Sequence, residues 1–284
     1  MRWGFAGPYM GEYNIWQAED KTKATIEFVA GQGFSAFHLN FKEARENDER
    51  GKQIAEWMRA HNMRAVVNGG VAWASPDRDL VKRQVEAMFK DLDKWGSALN
   101  ITLIHAGVGG HRFQRPPLPS CDEVLDNLIA NCAEPAMELL RRGTPLCFEN
   151  HGDYYVSDLV KVCQRAPGVK MFLDTGNCFL LGEKTLPAAI EAAPFIVGGH
   201  FKDHTVYPDY KVLHFVLEGA ALGEGDVGLA DIFRVIRRDT PNFDKVEFIW
   251  ELVPAKGDNG LDAIQRSWDF CRKIEAELEC CTCK

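Results

Sequence analysis

The feature that most constrains the fold of this chain is a regular alternation of short apolar runs and longer amphipathic segments. Runs with the length and composition of β-strands occur eight times, and each is followed by a stretch with helical periodicity. The strand candidates are RWGFAG, SAFHLNF, RAVVNGG, NITLIHAG, PLCFENHG, VKMFLDTGN, FIVGGHFKDH and VEFIWELV. No linker rich in proline, glycine or serine interrupts the series. We therefore expect a single domain over residues 1–275.

The spacing of these units predicts how the strands are connected. The 284 residues divide into eight units of roughly 35, about the length that a strand, a crossover helix and their loops need. Strands that are apolar on both faces suit a parallel sheet covered by helices. An open doubly wound sheet is the alternative, but neither a GxGxxG motif nor a P-loop follows the first strand. The pattern favours an α/β protein with a closed (β/α)8 TIM barrel.

Charge and hydropathy exclude several classes of partner. The chain has 41 acidic and 33 basic residues, a formal net charge of −8. An excess of negative charge repels phosphate polymers, so we expect no nucleic-acid partner. No apolar run reaches the length of a membrane span, and the first residues do not resemble a targeting signal. We expect a cytoplasmic protein that does not bind membranes.

The nine cysteines do not form a disulfide or zinc pattern. Six of them are scattered among apolar neighbours, as is typical of small buried thiols. The other three, Cys280, Cys281 and Cys283, cluster near the end of the chain. We expect residues 276–284 to be a flexible tail with no assigned role.

Four ionisable side chains follow consecutive strand candidates near their carboxyl ends. Glu149 ends the fifth strand, Asp174 the sixth, His200 the seventh and Glu251 the eighth. The active sites of TIM barrels lie at this end, so these side chains should converge on one point. Three converging carboxylates repel each other unless a cation or protons neutralise them. The set predicts one divalent metal ion, with Mn²⁺ or Mg²⁺ favoured by the oxygen ligands and Co²⁺, Ni²⁺ or Zn²⁺ also suitable.

Five further polar residues are candidates for binding the substrate. Lys202 lies two residues after the seventh-strand histidine and should face the same side, where it would hold a substrate oxygen, or else it forms a salt bridge with Asp203 at the rim. The others are expected to bind hydroxyl groups or orient the ligands, or else to be loop, turn or core residues: His38, His105, His151 and Asn177.

The order of the motifs ENHG, LDTGN, HFKD, GEGDVGLADIF and WEL resembles that of the xylose isomerase-like TIM barrels of the sugar phosphate isomerase/epimerase group. This group includes ketose 3-epimerases, hydroxypyruvate isomerase and inosose dehydratase. The resemblance extends over nearly the whole chain. It implies one divalent ion bound by Glu149, Asp174, His200 and Glu251, and it leaves the substrate open. The related AP endonucleases have a histidine where this chain has Asn177, which argues against a DNA repair enzyme.

The ligand set is compatible with proton transfer on a small ketose or its phosphate. A divalent ion bound to a carbonyl oxygen and a neighbouring hydroxyl stabilises the enediolate formed when the intervening proton leaves. If Glu149 and Glu251 lie on opposite faces of that intermediate, the result is epimerisation, and transfer on one face gives isomerisation. Loss of a hydroxyl would instead make the protein a dehydratase of a cyclic polyol ketone such as an inosose or dehydroshikimate. A non-catalytic sugar-binding subunit is the remaining alternative.

The stretch between the seventh and eighth strands is longer than the other connections. It contains the aromatic segment TVYPDYKVLHF, which would suit either a lid over the site or a contact between copies of the chain. A homo-oligomer therefore stays open.

Overall fold

The computed structural model describes residues 1–6, 17–209 and 214–280. Eight parallel strands close into a barrel, in the order β1-β10-β7-β6-β5-β4-β3-β2. Parallel pairing of β1 with both β2 and β10 completes the ring. The strands of the barrel are β1 (Arg2–Phe5), β2 (Ala36–Leu39), β3 (Arg64–Val67), β4 (Ile101–Ala106), β5 (Leu146–Glu149), β6 (Lys170–Phe172), β7 (Ile196–Phe201) and β10 (Glu247–Trp250). The predicted single-domain (β/α)8 barrel is confirmed.

Helices surround the barrel, and several of them begin at a polar residue whose side chain caps the first turn. The Ser120 side chain accepts from the Glu123 amide, and Glu123 bonds back to Ser120, forming a capping box at the start of α5. The helices of the described residues are α1 (Lys21–Gly31), α2 (Phe41–Arg45), α3 (Asp48–Ala60), α4 (Arg78–Trp95), α5 (Cys121–Arg141), α6 (Val156–Arg165), α7 (Asn177–Leu180), α8 (Thr185–Ala192), α9 (Leu229–Asp239) and α10 (Gly260–Cys280). None of them combines the length and apolarity needed to cross a membrane.

The predicted tail begins inside the last helix. Residues 276–280 belong to α10, and residues 281–284, with Cys281 and Cys283, lie outside the described residues. The role of these cysteines stays a prediction.

The long connection after β7 contains a feature that the sequence patterns do not indicate. Residues Asp203–Asp209 (β8) and His214–Ala220 (β9) form an antiparallel hairpin outside the barrel sheet. The Asp203 carboxylate anchors it, because it accepts hydrogen bonds from the backbone amides of Gly223, Gly225 and Val227. Whether this hairpin is the expected lid or a contact between copies stays open.

The interior of the barrel is arranged in layers that follow the two-residue period of the strands. One layer is an apolar cluster of Ala36, Val66, Leu103, Cys147, Phe172 and Ile249. On β7 the same level is occupied by Gly198, where a Cβ would lie only 2.8 Å from Leu103 Cδ1. Two residues further along each of these seven strands the residue is polar: it is Asn68 on β3, and on the other six strands His38, His105, Glu149, Asp174, His200 and Glu251. The sequence period thus places these side chains in a ring on top of the apolar layer.

Candidate metal centre

The four residues predicted as metal ligands come together at the carboxyl end of the barrel. Glu149, Asp174, His200 and Glu251 each offer a ligand atom, and these atoms lie within 4.8 Å of one another. The first three side chains are buried and that of Glu251 is partly buried. The described residues therefore contain a cluster of one nitrogen and three carboxylate ligands that can bind a metal ion.

Asp174 has one oxygen that is fixed and one that is free to bind a cation. Its Oδ1 accepts from the backbone amides of Gly176 at 2.9 Å and Asn177 at 2.8 Å. Its Oδ2 is buried and accepts no hydrogen bond from the described residues, although Lys202 Nζ lies 3.0 Å away. Lys202 supplies one positive charge against three carboxylates, and Oδ2 remains as a ligand atom that no hydrogen bond occupies. The donor set therefore fits a divalent ion.

The backbone around Asp174 is fixed by a neighbouring amide. Asn150 Oδ1 accepts from the Asp174 amide at 2.8 Å, and Asn150 Nδ2 donates to the Asp174 carbonyl at 2.9 Å. This pair of bonds joins the ends of β5 and β6 and sets the position of the ligand. Asn150 is not among the residues predicted from the sequence, although it follows the ligand Glu149 in the ENHG motif.

His200 uses both ring nitrogens. Its Nδ1 lies 2.8 Å from Glu149 Oε1 and 3.7 Å from both Asp174 Oδ2 and Glu251 Oε2. Its Nε2 lies 2.9 Å from Nε2 of His38. The nitrogen that faces the carboxylates is therefore Nδ1.

The two glutamates of the cluster have different surroundings. Both oxygens of Glu149 are engaged, Oε1 with His200 and Oε2 with His105 Nε2 at 2.8 Å, and the side chain is 3% exposed. Glu251 is 16% exposed, and its Oε2 accepts from Lys202 at 2.5 Å. No described residue bonds to Oε1 of Glu251. Of the two carboxylates, Glu251 has the oxygen that is available for a proton.

Lys202 lies among the carboxylates. Its Nζ is 3.0 Å from Asp174 Oδ2 and 2.5 Å from Glu251 Oε2. The alternative of a rim salt bridge with Asp203 is wrong, because Lys202 pairs with two of the ligands and the Asp203 carboxylate accepts from backbone amides of the loop after the hairpin. Thr175 fixes the lysine backbone, since its hydroxyl donates to the Lys202 carbonyl and accepts from the Lys202 amide.

Mutual proximity shifts the pKa values of the cluster. Burial raises the pKa of Asp174 to about 6. Burial opposes charge on His200, but the three carboxylates outweigh it and raise the pKa of His200 to about 10. Burial likewise opposes ionisation of Glu149 and Glu251, yet the charge of His200 lowers the pKa of both. The metal-free site thus has His200 protonated at neutral pH.

The remaining predicted residues differ in their distance from the cluster. His105 contacts Glu149, His38 contacts His200, and Asn177 Nδ2 donates to Glu149 Oε1 at 3.4 Å. His151 is exposed, and no hydrogen bond joins it to the four ligands in the part of the chain that is described.

Comparisons with known proteins agree on the fold. The model of the xylose isomerase-like TIM barrel family matches residues 26–274. No curated protein matches the chain. D-Psicose 3-epimerase from Clostridium cellulolyticum H10, solved with D-tagatose, is similar with a TM-score of 0.71 and 17% identity, covering 96% of this chain and 99% of that one.

Two further solved structures show the same likeness. A xylose isomerase-like TIM barrel protein from Mycobacterium smegmatis, in complex with magnesium, has a TM-score of 0.67 and 15% identity over 97% of this chain and 94% of that one. The 3-keto-D-glucoside 4-epimerase of E. coli has a TM-score of 0.66 and 15% identity over 96% of this chain and 99% of that one. Identities this low show the fold alone, whereas the family match extends over most of the sequence. This chain therefore belongs to the xylose isomerase-like TIM barrel family.

Proposed function

We propose that this protein is a divalent-metal-dependent isomerase or epimerase of a small ketose or ketose phosphate. The observation that supports this most directly is the convergence of three carboxylates and one imidazole, with ligand atoms within 4.8 Å of one another. The similarity to D-psicose 3-epimerase and to a 3-keto-D-glucoside 4-epimerase supports the same class of reaction.

The ligand set favours a hard cation. Three carboxylate oxygens and one nitrogen suit Mn²⁺ or Mg²⁺, while Co²⁺, Ni²⁺ and Zn²⁺ also accept an imidazole ligand. The Mycobacterium smegmatis relative was solved with magnesium, which supports the proposal. When bound, the ion would stabilise negative charge on the oxygen atoms of the reacting ketose.

Glu251 is proposed as the residue that takes the proton from the substrate. The carbon between the carbonyl and the hydroxyl loses its proton to Oε1 of Glu251, and the electron pair of that C–H bond moves to the carbonyl oxygen, giving an enediolate. Oε1 is suited to this step because it has no partner among the described residues, while Oε2 is held by Lys202. A carboxylate that uses both oxygens in other bonds would be a poor base.

Glu149, protonated from solvent before the turnover, is proposed to return that proton to the opposite face of the enediolate, and Glu251 afterwards releases the proton it took to solvent. Both of its oxygens contact histidines, so it must give up one of these contacts to reach the substrate. If the proton was taken from C3 of a 2-ketose, return from Glu149 inverts that carbon and gives an epimer. If it was taken from C1, return from Glu251 to the former carbonyl carbon gives an aldose.

The neighbouring side chains are proposed to bind the substrate. Lys202 and His105 are partly exposed at the mouth of the barrel, which is the position needed to contact a substrate oxygen. Binding of substrate by His151 and Asn177 stays a prediction.

Incubation with a panel of ketoses in D₂O tests the proposal. With Mn²⁺, we expect deuterium to enter one carbon next to the carbonyl of the true substrate, together with an epimer or an aldose. EDTA should abolish the exchange, and added Mn²⁺ should restore it. Absence of exchange with every ketose and ketose phosphate tested would contradict the proposal. A rising ultraviolet absorbance from a new enone would identify a dehydratase instead.

A further inference from the structure

We propose that His38 is a positioning residue that keeps Nδ1 of His200 available to the divalent ion. This inference rests on the proposed function, because it concerns the same metal centre. It assigns His38 to the geometry of the ligand rather than to substrate binding.

The hydrogen-bond balance between the two rings determines which nitrogen donates. Nε2 of His38 and Nε2 of His200 lie 2.9 Å apart, so one nitrogen must donate a hydrogen and the other must accept it. Nδ1 of His200 faces the three carboxylates, and it must be without a hydrogen to bind a cation. The hydrogen of a neutral His200 then lies on Nε2, and His38 has to be the acceptor.

The role of acceptor determines the protonation and the tautomer of His38. An accepting Nε2 requires a neutral His38 ring with its hydrogen on Nδ1. A hydrogen on Nε2 of His38 would face the hydrogen on Nε2 of His200, and the 2.9 Å between the two nitrogens excludes that arrangement.

Packing against neighbouring rings holds His38 and His200 in place. The His38 ring lies 5.8 Å from the Phe172 ring and 5.0 Å from the His105 ring, both in edge-on geometry. Phe172 also lies 4.9 Å from the His200 ring. His38 lies on β2, two residues after Ala36, which belongs to the apolar layer beneath the site. The position of the acceptor ring is thus fixed by its packing against two neighbouring rings.

Metal-binding histidines usually donate their second nitrogen to a carboxylate, a carbonyl or water. An imidazole as the acceptor is less common, and it can accept only while its own hydrogen is on the other ring nitrogen. Loss of such a partner typically lowers metal affinity by about 10- to 100-fold. This gives a readout that does not depend on turnover.

A spectroscopic experiment tests the tautomers directly. Protein labelled with ¹⁵N at histidine is loaded with diamagnetic Mg²⁺, and long-range ¹H–¹⁵N correlations report which nitrogen of each ring has the hydrogen. Signals are assigned with the variants His38→Gln and His200→Gln. We expect His200 to be protonated on Nε2 only and His38 on Nδ1 only. A hydrogen on Nε2 of His38 would overturn the proposal.

Mn²⁺ titration of two variants supplies the second test. His38→Leu removes the acceptor and should weaken Mn²⁺ binding by about 10- to 100-fold. His38→Gln should retain most of the affinity, because its amide oxygen can accept the same hydrogen bond. The matched control is His61→Leu at the exposed end of α3, which should bind Mn²⁺ like the wild type.

The outcomes separate this inference from the proposed function. If His38→Leu binds Mn²⁺ like the wild type and only the KM for ketose rises, His38 contacts substrate and the inference is wrong while the function stands. Equal losses in His38→Leu and His38→Gln would overturn it, because the acceptor atom would then be irrelevant. If the wild type binds no divalent ion, the proposed function fails and this inference with it. Should His38→Leu not fold, the tautomers of the wild type and the affinity of His38→Gln decide.

Discussion

Nζ of Lys202 lies 2.5 Å from Oε2 of Glu251, inside the group of carboxylates that is proposed to bind the metal. The same ammonium lies 3.0 Å from Asp174 Oδ2. The protein thus places one cation of its own against two of the three acidic ligands. In the metal-free state this charge offsets part of the repulsion among them.

Replacement of Lys202 should have opposite effects on the metal-free protein and on metal binding. Lys202→Met leaves Asp174 and Glu251 without their cation, and we expect a loss of roughly 3 kcal/mol in the free energy of unfolding. Mn²⁺ should bind at least about tenfold more tightly, because a repelling charge is gone. Chemical denaturation and calorimetric titration measure the two effects, with Lys245→Met at the other end of the barrel as control. Weaker Mn²⁺ binding would mean that the lysine mainly holds the carboxylates in place.

Replacement of Glu251 should remove the base and keep the fold. Glu251→Gln loses the free carboxylate oxygen, and we expect deuterium exchange into the substrate to slow by roughly 10²- to 10⁴-fold. Circular dichroism should be unchanged, and Glu224→Gln in the exposed loop after the hairpin should exchange at the normal rate. Full exchange by Glu251→Gln would assign the proton transfer to another group.

Metal binding should release a proton and strengthen as the pH rises. The pKa of His200 is about 10 in the metal-free protein, so at neutral pH its Nδ1 has a hydrogen that must leave before it binds a cation. We expect about one proton per ion near pH 7 to 9, and a second one below the pKa of Asp174, which is about 6. Calorimetry in buffers of different ionisation enthalpy counts the protons. Binding without proton release at pH 7 would show that His200 is neutral or not a ligand.

The shifted pKa values of His200 and Asp174 also determine how the stability of the metal-free protein depends on pH. Because the folded-state pKa of His200 is raised above its usual 6.5, its stabilising contribution is complete below that pH and is lost as the pH rises through about 10. The pKa of Asp174 is likewise raised, from its usual 3.8 to about 6, and the folded protein loses stability as the pH rises through this range. The metal-free protein should therefore unfold more easily in alkali, and saturating Mg²⁺ should reduce this dependence. Equal stability at pH 6 and pH 9 without metal would contradict it.

The opposite end of the barrel gives a prediction about stability alone. Glu247 is fully buried and paired with Arg2 and with Arg64, whose guanidinium donates to both of its oxygens. Glu247→Ala leaves two partly buried arginines unpaired, and we expect a loss of about 3 to 5 kcal/mol in the free energy of unfolding. Urea denaturation measures this loss. A loss of less than about 1 kcal/mol in the free energy of unfolding, which is typical of a surface ion pair, would show that water solvates both unpaired arginines.

The barrel and the ligand cluster were accessible from sequence because both follow from the two-residue period of a strand. Cys147 and Glu149 face the same side, as do Ile249 and Glu251, so a polar residue two positions after an interior apolar one is placed at the mouth. The β8–β9 hairpin escaped detection because Pro208 interrupts the run that begins with Thr205, Val206 and Tyr207, and a proline within such a run argues against a strand.

Contacts between side chains on different strands depend on register, which the sequence does not reveal. The contacts of Lys202 and Asn150 follow from how β5, β6 and β7 are aligned; the sequence indicated the side that Lys202 faces, but it did not indicate the partners of either residue. The pairing of His38 with His200 likewise joins β2 and β7 across the barrel. Such relationships had to come from the structure.

The central claim is that Glu149, Asp174, His200 and Glu251 bind a single divalent ion, and Mn²⁺ titration tests it most directly. We predict one ion per chain for the wild type, no measurable binding by Asp174→Asn, and wild-type binding by Asp239→Asn on the exposed part of α9. Absence of binding by the wild type, or equal binding by Asp174→Asn, would contradict the account.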